Sequence, residues 1–196
     1  MTKSDLRARF SNYWREVDAS EVARMSASIQ ARISRIPVWD EVETALLYLP
    51  KTHSAEIDLR AFIEELSKSN VRIVLPVVTE FGRSRIAQAR IEARLLESYD
   101  ELILNRWGIP EPVTGQQIDI TRVDVAVVPA LGGGRNMYRI GHGYGYYDEL
   151  LAPARCPKIC PIPSGCLVES VPFQDHDVPV DYIVTEVETI GAGDAL

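Results

Sequence analysis

The sequence predicts an α/β fold, on three observations. Short, mainly apolar runs closed by proline recur along the chain: Thr44 to Leu49 before Pro50, and Val125 to Val128 before Pro129. Such runs suit strands covered on both faces. Between them lie longer stretches whose apolar residues repeat at three- and four-residue steps, and alternating strand and helix is the pattern of a layered α/β sheet. Third, 196 residues with 46% hydrophobic and 25% charged side chains form an ordinary globular composition, enough to bury the core of one domain.

Taken in order, Ser4 to Val17 is expected to be helical, with Leu6, Phe10, Tyr13 and Trp14 on one face. Asp18-Ala19-Ser20-Glu21 has the spacing of a capping box for a second helix. Its apolar stripe, Val22, Met25, Ile29, Ile33 and Ile36, ends at Pro37 and reads as core packing. After the strand at Thr44 to Leu49, a loop with His53 leads to Glu56 and a helix from Ile57 to about Ser67, with Phe62, Ile63 and Leu66 inward. Val71 to Leu75 is the next strand, followed by Pro76 and Val77-Val78. The segment 86–96 is ambiguous: helix periodicity is passable, yet Ala87, Ala89 and Ile91 alternate as in a strand, and the strand is favoured only by the resemblance given below. Asn105 to Pro112 is a loop in which Trp107 either stacks on a flat ligand or plugs the core edge. Lys158 to Pro163 is a strand interrupted by prolines.

The chain is organised around Val123 to Leu151. A buried strand runs into Gly132-Gly133-Gly134, then Arg139, then Gly141-His142-Gly143-Tyr144-Gly145, and a helix opens at Tyr146-Tyr147-Asp148. Strand, glycine loop and helix start present backbone N–H groups to an anion, and Arg139 adds a fixed positive charge. The spacing is not the dinucleotide G-x-G-x-x-G, and no G-x-x-x-x-G-K-[ST] occurs. On spacing alone, a phosphate cradle and a structural turn both stand.

Net charge −7 argues against a nucleic-acid partner held by a general basic field, but not against a small anion held by local cations. No apolar run reaches the roughly 20 residues that span a bilayer, and MTKSDLRARF lacks the apolar core of a signal peptide. A cytoplasmic protein, monomeric or weakly dimeric, is expected, with no membrane contact. Cys156, Cys160 and Cys166 are expected to be reduced, buried small hydrophobes rather than metal ligands, since no His accompanies them at ligand spacing.

VPALGGGRNMYRIGHGYGYYDELL resembles the signature of the 5-formyltetrahydrofolate cyclo-ligases, roughly V-P-G-x-x-F-D-x-x-G-x-R-L-G-x-G-x-G-Y-Y-D. The match is ungapped at Val128-Pro129, Arg139-Ile140-Gly141, Gly143 and Gly145-Tyr146-Tyr147-Asp148. Lys3-Ser4-Asp5-Leu6-Arg7 is similar to the family's K-x-x-L-R element, Glu56-Ile57-Asp58 to its E-[IV]-[DE]-T element, Asn105 to Pro112 to its tryptophan loop, and Val171 to Glu186 to its ending. The resemblance implies a single three-layer α/β domain over 1–196, mostly parallel, with helices on both faces. It also implies ATP- and Mg²⁺-dependent closure of 5-formyltetrahydrofolate to 5,10-methenyltetrahydrofolate, with ATP and a reduced folate as small-molecule partners. Arg139 and Asp148 become the catalytic candidates. Lys3, Arg7, Arg139, Ile140, Gly141, His142, Gly143, Tyr144, Gly145, Tyr146 and Tyr147 are assigned to nucleotide, and Leu49, Glu56, Trp107 and Tyr146 to folate. Asp148 and Asp177 are assigned to Mg²⁺, which suits a site of few protein carboxylates completed by water and phosphate.

The chain departs from the signature at several positions. Gly133-Gly134 stand where the family has F-D, Met137 where it has a turn glycine, Glu149 where many members have Arg, and Cys166 where a glutamine is usual. His142 and Tyr144 fill positions that are basic in some members. The alternative these departures support is a divergent member that binds nucleotide or folate without efficient closure.

Overall fold

The computed structural model describes residues 1–52, 56–80 and 90–191, so His53 and the 86–89 part of the ambiguous segment lie outside the described residues. Helices α1 (Lys3–Glu16) and α2 (Ala19–Ile33) come first. Strand β1 (Thr44–Leu46), helix α3 (Arg60–Lys68) and strands β2 (Arg72–Glu80), β3 (Arg90–Leu95), β4 (Leu102–Leu104), β5 (Pro110–Pro112) and β6 (Gln117–Ile118) follow. Next are β7 (Val125–Val127), β8 (Gly132–Gly134), β9 (Arg139–Ile140) and helix α4 (Tyr146–Leu151). Strands β10 (Lys158–Pro161), β11 (Leu167–Val168), β12 (Tyr182–Val184) and β13 (Thr189–Gly191) close the chain.

The main sheet has eight strands in the order β13-β12-β10-β7-β1-β2-β3-β6. Its centre, from β12 to β2, is parallel, and β13, β3 and β6 join antiparallel at the edges. Period-2 alternation divides the core. Ala45, Ile73, Val125, Val127 and Ile159 face α1, α2 and α3, while Leu46, Val74, Ala126 and Cys160 face α4 and the loops around it. The expected helices on both faces are present but unequal: one side carries three helices, the other mainly α4. Among the described residues no helix is long and apolar enough to cross a membrane.

Local chemistry explains the helix starts. Thr2 and Asp5 form a reciprocal capping box at α1, and Leu6, Phe10 and Trp14 are buried beneath it. Asp18 caps α2 through the Glu21 amide, but the Glu21 side chain turns to Arg24, so only half of the expected box forms. Several expected boundaries shift. Helix α2 stops at Ile33 rather than Ile36; the chain leaves helical geometry yet keeps Ile36 buried. Helix α3 starts at Arg60 rather than Ile57, because Ile57 and Leu59 reach the core from extended backbone. Strand β1 is shorter than the apolar run; beyond it Leu47 donates once more to the Val74 carbonyl, and Tyr48 and Leu49 stay buried outside the ladder. Strand β2 continues through Pro76 to Glu80: β1 has ended on that side, so the missing proline N–H leaves no ladder bond unmade. Pro110–Pro112, expected as loop, is a short strand paired with β4. Gly132–Gly134 is also a strand rather than a loop, held between β11 and β9 beneath the Phe10 ring.

Candidate active site

Strand β1 and strand β7 are neighbours, but the chain leaves β1 toward β2 and leaves β7 toward β10. Between them lies the switch point of the sheet, where connections diverge and open a crevice at the carboxyl ends of the strands. A cleft of about 590 Å³ occupies that position. Tyr48 and Leu49 after β1, Pro76 and Val78 in the distal half of β2, and Pro129 to Leu131 after β7 form its floor. Every residue assigned to a site from the sequence lines this one cleft: Lys3, Arg7, Leu49, Glu56, Trp107, Arg139 to Asp148 without a gap, and Asp177.

Helix α1 supplies Lys3 and Arg7 because i and i+4 share a face, set beside the buried stripe of Leu6, Phe10 and Trp14. The Trp14 indole N–H donates to the Leu131 carbonyl at 3.0 Å and docks α1 over the segment that follows β7. The Arg7 Nε–H donates to the Gly141 carbonyl at 2.9 Å. Gly143 has φ +94°, and a Cβ there would stand 3.2 Å from the Arg7 guanidinium carbon, so the loop needs glycine for both conformation and space. Gly145, at φ +79°, starts α4 and points Tyr146 and Tyr147 into the cleft.

The cations are not isolated charges. Arg139, whose side chain is only 6% exposed, donates to Asp148 Oδ1 at 2.9 Å and to the Val178 carbonyl at 3.3 Å. The Val178 amide donates to the same Oδ1 at 3.1 Å. Lys3 pairs with Asp177, which also accepts from the Gln174 amide on the same oxygen, Oδ2. Burial acts upward on the Asp177 carboxyl, yet the Lys3 and Gln174 bonds outweigh it and hold its pKa below the usual range. His176 is largely exposed and reaches Asp177 only at 3.9 Å, so the sequence neighbours form no tight acid–base pair. Among the described residues no group of three or more His, Cys, Asp or Glu is placed to hold a metal. The hydrogen bonds of Asp148 and Asp177 leave Asp148 Oδ2 and Asp177 Oδ1 outside them, a donor set that fits Mg²⁺ if phosphate and water supply the remaining ligands.

Glu56 accepts from the Lys51 amide at 2.8 Å, and burial pushes its pKa up against that bond. The Tyr147 phenol is raised by burial and then by Glu56. The packing around His142, then the charges of Lys51 and Arg7, push its pKa below the usual value, so it is neutral at pH 7 and adds no cation. Trp107 contacts two tyrosines, with ring centroids 5.7 Å from both Tyr144 and Tyr146. Trp107 therefore belongs to an aromatic wall of the cleft.

The departures fall into two groups. Gly134, Met137, Glu149 and Cys166 lie outside the cleft lining; His142 and Tyr144 lie in it. Gly134 does not have positive φ; it is an extended strand residue with no room for a side chain. Met137 takes φ +64° with its side chain buried, so the turn geometry is kept without glycine. Cys160 and Cys166 are buried, and burial pushes their thiols up to about 12. The sequence reading gave no site role to Lys51, Glu111 and His176, nor to the apolar wall of Pro76, Val78 and Ile91. Lys51 was findable as the first cation after a strand end; the wall residues carry no signal beyond strand composition.

The model of the 5-formyltetrahydrofolate cyclo-ligase family matches residues 1–186. The 5-formyltetrahydrofolate cyclo-ligase of Escherichia coli K12 is 26% identical over 176 residues, covering 87% of this chain and 93% of that protein. The solution structure of Aquifex aeolicus 5,10-methenyltetrahydrofolate synthetase superposes with TM-score 0.81 at 28% identity, over 100% of this chain and 95% of that one. The Mycoplasma pneumoniae 5,10-methenyltetrahydrofolate synthetase shares the fold, with TM-score 0.72 at 21% identity over 95% and 99% of the two chains. With the family model matched over residues 1–186, and residues from each of the ordered motifs lining one cleft at the switch point of the sheet, the chain belongs to the 5-formyltetrahydrofolate cyclo-ligase family.

Proposed function

We propose that this cleft closes 5-formyltetrahydrofolate to 5,10-methenyltetrahydrofolate at the expense of ATP. The observation that carries the reading is the convergence of three cations, the glycine segment, a buried acid and an aromatic wall on one cleft. The formyl oxygen is a poor leaving group. Transfer of the γ-phosphoryl of ATP to it makes it a good one; N10 of the folate then attacks the activated carbon, and phosphate departs. Both nucleophiles belong to the substrate, so the protein needs no catalytic Ser, Cys or His. Its work is to position the reactants and neutralise charge on the phosphoryl group in transfer.

Lys3, Arg7 and Arg139 hold phosphate oxygens, and the amides of Gly141, Gly143 and Gly145 complete the cradle. Ile140, His142, Tyr144 and Tyr147 line the nucleotide. Leu49, Glu56, Trp107 and Tyr146 hold the folate. Asp148 Oδ2 and Asp177 Oδ1 would hold Mg²⁺, which offsets phosphate charge when bound. Arg139 also holds Asp148 in place, through the contact it makes to Oδ1.

Mixing the protein with Mg-ATP and 5-formyltetrahydrofolate and following methenyl absorbance tests the reading. Product forming in proportion to protein and ATP is expected. Binding of both ligands without product would instead identify a member that binds without efficient closure.

A further inference from the structure

Glu111 is only 7% exposed, yet it lines the cleft. It sits on β5 between two prolines. Among the described residues no Lys, Arg or His reaches it at ion-pair distance. Both of its hydrogen bonds land on one oxygen: Oε1 accepts from Asn105 Nδ2 at 2.8 Å and from the Val78 amide at 3.1 Å. Asn105 is itself fixed, its Oδ1 accepting from the amides of Trp107 at 2.8 Å and Ile109 at 3.1 Å. The carboxylate is therefore held in one orientation, and Oε2 has no protein donor among the described residues. Pro76, Val78, Ile91, Trp107 and Ile109 make the surrounding cleft wall largely apolar. Burial pushes the Glu111 pKa up despite its two hydrogen bonds. Oε2 is thus the carboxylate oxygen left available to a ligand N–H in the cleft that Glu111 lines. A few fixed polar groups in an apolar wall set the orientation of a ligand.

We propose that Glu111 is a substrate-recognition residue, its Oε2 accepting from the 2-amino and N3–H edge of the pterin ring of the reduced folate. This rests on the cyclo-ligase reading above. Glu56 and Glu111 line the same cleft, and Asn105, which donates to Glu111, also holds the Trp107 backbone of the aromatic wall. The pterin fits better than adenine on donor count. Its 2-amino and N3–H groups are adjacent donors, whereas the adenine amine is flanked by a ring nitrogen whose lone pair would face the carboxylate. Removing the acceptor therefore leaves the pterin edge unpaired, the situation that gives strong discrimination.

The test is calorimetric titration of wild type, Glu111→Gln and Glu111→Asp with 5-formyltetrahydrofolate, its 2-desamino analogue and ATP. Glu111→Gln keeps the Oε1 acceptor but places an N–H₂ at Oε2. It is expected to weaken folate binding roughly 10- to 100-fold, the range of a charge-assisted hydrogen bond, with ATP affinity unchanged. Wild type should lose a similar factor on passing to the desamino analogue, and Glu111→Gln should lose little more. Should Glu111→Gln melt far below wild type, Glu111→Asp is measured in its place; it keeps the charge but draws the oxygen back by one methylene, and the same loss is expected. Unchanged folate affinity in a folded variant, a loss confined to ATP, or equal additional loss with the analogue in the variant overturns the proposal. Wild type that binds folate but forms no methenyl product defeats the reaction assigned above while leaving these titrations decisive for Glu111. Wild type that binds no reduced folate overturns both.

Discussion

Gly134 occupies the position at which the family signature carries an acid, so Gly134→Asp is the natural attempt to restore one. The structure predicts that it fails, and by how much. A Cβ on Gly134 would lie 2.4 Å from Asn136 Oδ1 and 2.8 Å from the Val171 backbone nitrogen. Those two atoms belong to a bridge. Asn136 Oδ1 accepts from the Val171 amide at 3.0 Å, and Asn136 Nδ2 donates to the Val171 carbonyl at 3.0 Å. Any side chain at residue 134 wedges this bridge apart. Two hydrogen bonds at about 0.5–1.5 kcal/mol each amount to roughly 1–3 kcal/mol. At about 2–4 °C per kcal/mol for a chain of this size, the melting temperature should fall by roughly 2–12 °C. Gly134→Ala should show most of this loss, and Gly134→Asp at least as much, with no gain in methenyl formation. Asn136→Ala removes the bridge by itself, so adding Gly134→Ala to it should cost much less than Gly134→Ala alone. Thermal denaturation followed by circular dichroism measures the four variants against wild type. A Gly134→Asp protein melting within a degree of wild type, or turning over faster, would refute the steric argument and return the missing acid to consideration.

Three further outcomes follow from the same geometry. Gly143→Val forces a β-branched residue to φ +94° against the Arg7 guanidinium, costing at least about 1–2 kcal/mol and displacing Arg7 from the Gly141 carbonyl; ATP affinity by calorimetry should fall at least 10-fold, and an unchanged value in a folded variant would disprove the cradle. Arg139→Ala strands Asp148, which is part-exposed, so the loss should be roughly 2–3 kcal/mol in denaturant titration, under the ~3–5 kcal/mol of a wholly buried pair, and Asp148→Ala on that background should recover part of it. Burial raises the Glu56 pKa above its unfolded value, so its stabilising contribution is complete below about pH 4.3 and is lost as pH rises through the folded pKa. Glu56→Gln should therefore gain stability relative to wild type as pH rises from 4 to 8 while losing folate affinity; a pH-independent difference in melting temperature would contradict this.

Much of the fold was written locally. Apolar runs ended by proline marked β1, β7 and β10, and three- and four-residue periodicity marked α1 and α2, because burial on two faces or on one leaves different spacings. The site residues were legible because several lie in one continuous stretch, Arg139 to Asp148, and the rest in short ordered motifs. What pairs with what was not legible. Lys3 meets Asp177 across 174 positions and Arg139 meets Asp148 only after the chain turns through Gly145. Gly132–Gly134, read as part of a glycine loop, became a strand because β9 and β11 offered its backbone partners that the sequence could not display. Glu111 reads as an ordinary acid between prolines, since burial is a property of what packs around a residue. Its role as a buried acid was decided only when β5 brought it beside the Val78 amide and the cleft wall. The sequence determined which side chains are available and which segments bury an apolar face; long-range packing decided which charges are neutralised and which are left for a ligand.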